Sequence, residues 1–69
     1  MRRLQPEETK AIDVAIRRAH QLVADRNERV TEYAIFRCAR ELLEETDAGP
    51  RASVALADAV ALYWRNRSR

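Results

Sequence analysis

The segment Ala52-Ser53-Val54-Ala55-Leu56-Ala57-Asp58-Ala59-Val60-Ala61-Leu62-Tyr63-Trp64 decides how this chain is read, because Asp58 is its only charge. At about 100° per residue, one helical face collects Leu56, Ala57, Val60, Ala61 and Trp64, with Val54 and Tyr63 on its shoulders. Leu62 falls on the opposite side. Ala52, Ala55 and Ala59 join it there in a second apolar strip, interrupted by Asp58 and, near the ends, by Arg51, Arg65 and Asn66. A helix that is apolar nearly all round is normally buried on all sides. A chain of 69 residues is expected to cover one side and leave the other to a second chain. Ala52, Ala55, Ala59, Leu62 and Tyr63 are therefore the expected oligomer interface.

The clearest break in the chain is Asp47-Ala48-Gly49-Pro50, just ahead of that segment. Gly49 suits the left-handed position past a helix end, and Pro50 cannot extend the preceding helix. Pro50 or Ser53 then begins helix 3, with Ser53 the better N-cap, and the helix is expected over about 51–65. Arg65, Arg67 and Arg69 close it with the sign that its C-terminal dipole prefers.

Upstream, helix 2 is expected over about 32–45, with Ile35, Cys38, Ala39, Leu42 and Leu43 facing inward and Phe36 at the edge. Thr31 is placed as its N-cap, and Val30 and Ile35 hold the positions of a hydrophobic staple. Arg37 with Glu41, and Arg40 with Glu44, are spaced to pair across one turn.

Helix 1 is expected over about 6–26. Pro6 loses nothing at a first helical position, and Glu7 and Glu8 sit well at the positive end of the dipole. Ile12, Ala15, Ile16, Ala19, Leu22 and Val23 keep one amphipathic stripe throughout. Asp13 and Arg17 are spaced as an i,i+4 pair on the solvent side, while Val14 lies off the stripe and Ala11 near it. Asn27, which tolerates the left-handed conformation, is the expected terminator, and a short loop makes helices 1 and 2 antiparallel neighbours. The chain lacks alternating β-branched segments and internal repeats. The expectation is one all-α domain over 1–69, a helical hairpin plus a largely apolar third helix, in dimeric form.

Domains this small bury only about 60% of the surface of the unfolded chain. Cys38 has no partner for a disulfide, and His20 is the only histidine. Oligomerisation is the remaining common remedy. Charged residues make up 35% of the chain, yet the formal net charge is only +2. Lys10 is the only lysine; the arginines suit phosphate or carboxylate recognition, or reflect codon usage in a GC-rich genome. No apolar run approaches the roughly 20 residues that span a bilayer. The start carries basic residues without an apolar core, so a signal peptide is not expected. A cytoplasmic location is the expectation, and the unpaired cysteine agrees with a reducing compartment.

Catalysis is not expected. His20 is the ordinary candidate for a general base, but nothing local supplies its nucleophile, and a Cys38–His20 pair would have to be assembled by the fold. One cysteine and one histidine leave a zinc site short of ligands, and a sole glycine leaves no phosphate-binding loop. No cofactor or metal is expected. Glu41, Glu44, Glu45 and Asp47 crowd the C-terminal end of helix 2, where the dipole disfavours them. They form either an acidic patch for a basic partner or a solvated face screened by salt.

Two kinds of partner remain. Tyr63 and Trp64 are types enriched at binding hot spots, and with Arg65 and Arg67 they form the expected partner-binding end of helix 3. Protein binding is the first expectation: a helical module that binds itself and modulates or inhibits a cytoplasmic protein. Small arginine-rich helical chains of this kind are typical of regulators carried by phages or mobile elements acting on a host protein. A dimeric nucleic-acid-binding transcriptional regulator is the alternative. Arg2, Arg3, Arg17, Arg18, Arg65, Arg67 and Arg69 would then supply phosphate contacts, although helix 3 shows few polar residues for base edges before Arg65. A membrane partner is not expected.

Overall fold

Side-chain spacing and capping chemistry divide the chain into three helices. The computed structural model describes residues 5–46 and 49–67, with α1 at Pro6–Asp25, α2 at Glu32–Glu44 and α3 at Gly49–Arg67. No strand occurs among the described residues. The fold class is all-α, and no helix among the described residues is long and apolar enough to cross a membrane.

The helix ends follow from specific groups. At the start of α1, the Gln5 backbone N–H donates to Glu8 Oε1 at 2.9 Å, so a glutamate one turn in satisfies an orphan donor at the helix start. Glu8 is buried in doing so. At the far end, Asn27 adopts φ 59°. The Asn27 N–H donates to the Ala24 carbonyl at 3.1 Å, and the Glu28 N–H to the Val23 carbonyl at 3.3 Å. This is the paired closure of a left-handed helix cap, with asparagine in the position glycine usually holds. Thr31 caps α2 by accepting from the Ala34 N–H at 3.1 Å, and Val30 packs against the same core as Ile35.

The junction between α2 and α3 departs from the sequence reading. Gly49 is the first residue of α3, and Ser53 falls inside the helix rather than ahead of it. The reason is that α2 closes itself. The Leu42 carbonyl accepts from the Glu45 N–H at 3.3 Å. The Leu43 carbonyl accepts from the Thr46 N–H at 2.9 Å and the Thr46 hydroxyl at 2.8 Å. With those carbonyls occupied, no glycine cap is needed, and Pro50 falls in a first turn that has no use for its missing N–H. Asp47 and Ala48 lie outside the described residues.

α2 is the middle helix and packs on both neighbours, while α1 and α3 meet each other less extensively. Ile12, Ala15, Ile16, Ala19 and Val23 of α1, Ile35, Cys38, Ala39 and Leu43 of α2, and Ala52, Leu56 and Val60 of α3 form one core. Ala19, Ala39 and Ala52 have no exposed surface at all. Small side chains at such positions bring helix axes to the near end of the usual 8–10 Å spacing (approximately).

The buried face of α3 is not the one first suggested by its pattern. Leu56 and Val60 are enclosed, but so is Ala52, and Ala55, Ala59 and Tyr63 pack half-buried beside them. Ala57 is exposed and Val54 is 83% exposed. The helix is thus turned by roughly a quarter turn toward the strip assigned above to a second chain. Ala52 in particular is enclosed within a single chain and offers no surface to another. The physical reason is that α3 is flanked by two helices, and its alanines allow both to approach.

Leu56 is fully buried, whereas Leu62 on the same helix is 57% exposed. Leu56→Ala is expected to cost about 2–5 kcal/mol in urea unfolding, and Leu62→Ala about 0.5 kcal/mol or less.

Candidate interaction surfaces

Tyr63, expected at the surface, ties α3 to α1. Its hydroxyl lies 2.7 Å from His20 Nδ1. The two rings meet edge to face, with centroids 5.9 Å apart and planes at 83°. In the Nε2–H tautomer of His20, the tyrosine hydroxyl donates to Nδ1. The Arg67 guanidinium stands over the other ring system, 5.8 Å from the Tyr63 centroid, a cation–π distance. His20 is therefore engaged by a phenol and not by a thiol.

Cys38 is buried on α2, and burial pushes its thiol up from the ordinary value. The Arg26 guanidinium opposes this shift, and Glu41 and Glu28 add to it. A thiol held protonated is a poor nucleophile. The cavity beside it, about 190 Å³, is lined by residues including Val23, Arg26, Tyr33 and Glu41, and His20 does not contribute to it. The fold leaves the Cys38–His20 pair unassembled. Among the described residues, no cluster of three or more metal-ligating side chains occurs.

The end of α3 holds the remaining sequence candidates. Leu62 is exposed at the mouth of a groove of about 270 Å³ between α1 and α3, lined by Ile12, Ile16, Ala59, Leu62, Tyr63 and Asn66 among others. Trp64 is half-buried and packs against the core, so it acts first as a filler of the fold. Arg65 and Arg67 are exposed.

The acidic residues of α2 are interleaved with cations. Glu41, Glu44 and Glu45 are exposed, and Glu44 pairs with Arg40 at 3.4 Å. Arg37 and Arg40 line one shallow surface with Glu41 and Glu44, and Arg37 also stands 5.9 Å from the Tyr33 ring centroid. Asp47 lies outside the described residues. This face has mixed charge over Arg37–Glu44, which removes much of its acidic character there. On α1, Asp13 and Arg17 pair as their spacing predicts, at 3.3 Å.

A further surface feature is not apparent from the sequence alone. A groove of about 550 Å³ runs between α1 and the end of α2. Ala11, Val14, Ala15, Leu42 and Leu43 form its apolar lining, and Glu7, Lys10, Arg18 and Glu45 stand among its polar members. Val14 is 52% exposed in it. The available signal was the spacing of Ala11 and Val14 between Glu7 and Arg18, a second stripe beside the core stripe of α1.

Tyr63→Phe keeps the ring and removes the hydroxyl that meets His20. The expected loss of stability is about 0.5–1.5 kcal/mol, read by urea denaturation, with the helical circular dichroism signal of the folded state unchanged.

Compared with family models, curated proteins and solved structures, this chain finds no match.

Proposed function

We propose that this chain is a small non-enzymatic interaction protein that works as a homodimer and modulates another cytoplasmic protein by occupying a surface on it. The observation that carries the reading is Leu62: a large apolar side chain, 57% exposed, at the mouth of the α1–α3 groove. Leu56 and Val60 are taken up by the chain's own core, whereas Leu62 is left exposed beside a groove, as Val54 is left exposed nearer the start of the helix. Exposed Arg65 and Arg67 follow Leu62 on the same helix. An apolar anchor with guanidinium groups nearby suits a protein surface that presents an apolar side chain flanked by carboxylates. Tyr63 stiffens the site, since its contacts with His20 and Arg67 fix one wall of the groove.

A dimeric nucleic-acid-binding regulator is the second reading, favoured by the exposure of Arg65 and Arg67. Against it, the exposed positions of α3 ahead of them include Val54, Ala57, Asp58 and Leu62. Such a face has little to offer base edges. Arg17 is also already paired with Asp13.

The test is retention of a partner by the immobilised protein from nuclease-treated lysate, repeated with Leu62→Glu and with Arg65→Glu plus Arg67→Glu. The expected result is one retained protein, lost with Leu62→Glu and weakened about tenfold by the double reversal. Retention that survives Leu62→Glu contradicts the reading. A mobility shift of nucleic acid that collapses between low and physiological salt, with no protein retained, replaces it with the second one. A sedimentation mass that stays near 8.0 kDa at every concentration contradicts the dimer.

A further inference from the structure

The groove between α1 and the end of α2 is bordered by a stripe that is complementary to itself. Glu7, Ala11, Val14 and Arg18 all line it, and their spacings of four, three and four place them on one side of α1. Along the stripe the order is anion, small, large, cation. A helix of that order, laid antiparallel on a copy of itself, has a register in which every pair is matched. Glu7 meets the partner's Arg18, and Ala11 meets the partner's Val14. The other half of the two-fold arrangement repeats the same pairs in reverse. This is the pairing of alternate seam positions found in antiparallel coiled helices, and a two-fold axis requires such self-complementarity.

The exposure of these side chains agrees with this use. Val14 is 52% exposed while Ala15, its neighbour, is buried in the core. Ala11 is half-buried and packed against the core, which leaves a shallow seat where a second valine can rest. The polar members of the groove include two anions, Glu7 and Glu45, and two cations, Lys10 and Arg18. Among the described lining residues the charges balance, which favours neither a strongly acidic nor a strongly basic partner, whereas a second copy brings the same set in reversed order.

We infer that α1 is the self-association surface: two copies pair antiparallel along Glu7, Ala11, Val14 and Arg18 over the apolar groove, leaving the Leu62 end of α3 free for a different protein. The inference rests on the homodimer reading proposed above and moves its interface from α3 to α1. From Glu7 to Arg18 the stripe is about 16 Å long. A contact of that length falls at or below the small end of specific interfaces, so association is expected in the micromolar range.

Sedimentation equilibrium of wild type, Glu7→Arg, Arg18→Glu and the double variant tests the register. These are exposed side chains, and circular dichroism checks that each variant stays helical. Wild type is expected to dimerise, each single reversal to weaken the dimer about tenfold, and the double variant to recover it. An equimolar mixture of the two single variants is expected to pair with itself better than either does alone, since one then carries only cations and the other only anions at the ends of the stripe. Failure of the double variant to recover dimerisation overturns the register and the inference. A wild-type dimer indifferent to the single reversals and to Val14→Glu, but broken by Leu62→Glu, overturns the inference and leaves the homodimer standing with α3 as its interface. A wild-type monomer up to millimolar concentration overturns both.

Discussion

The structure depends on one core shared by three helices, in which Ala19 on α1, Ala39 on α2 and Ala52 on α3 have no exposed surface. A larger side chain at any of these points would force the axes apart and loosen the grip on Ile35, Leu43, Leu56 and Val60, the large residues the core encloses. α2 serves both neighbours at once, and one short chain hides the inner face of its most apolar helix. The third helix then needs no second chain to account for Ala52, Ala55 or Ala59. The surplus apolar surface that remains lies at the edges of the bundle, at Leu62 and Val14, with Val54 and Tyr33 exposed besides.

Much of the fold was legible because it rests on local chemistry. Asn27 was readable as a left-handed terminator, Thr31 as a cap, and Asp13 with Arg17 as a pair, since each needs only neighbours within a turn or two. The core stripes of α1 and α2 were readable from spacing alone. The junction at Gly49 was not, because Thr46 closes α2 with its own hydroxyl and so removes the usual demand for glycine. The face of α3 was misjudged for a different reason: when nearly every position is apolar, periodicity carries no direction, and the orientation is set by what the other helices can reach. Tyr63 illustrates this, being drawn inward by a histidine 43 positions earlier in the chain.

The surfaces divide along the same line. The α3 end was visible in the sequence as an aromatic pair beside arginines, although Trp64 turns out to serve the core and Tyr63 to brace the groove. The α1 groove was overlooked because Val14 falls outside the core stripe, where a lone valine on a solvated face demands no explanation. Its meaning depends on Leu42 and Leu43 of α2 and on Glu45 just past its end, which only the antiparallel packing brings beside it. Two edges on either side of α1 stay outside the core: one is the proposed seat of a second copy, the other the proposed seat of a different protein.

The most direct measurement of the central claim, that one chain suffices to bury α3, is amide hydrogen exchange along the helix at protein concentrations where association is negligible. The account predicts that the amides of Leu56 and Val60 remain protected on dilution to a degree comparable with those of Ala39 and Leu43, because all four positions sit in the same single-chain core. Amides in α3 that exchange like those of an unstructured peptide in the dilute monomer, and gain protection only as concentration rises, would contradict it.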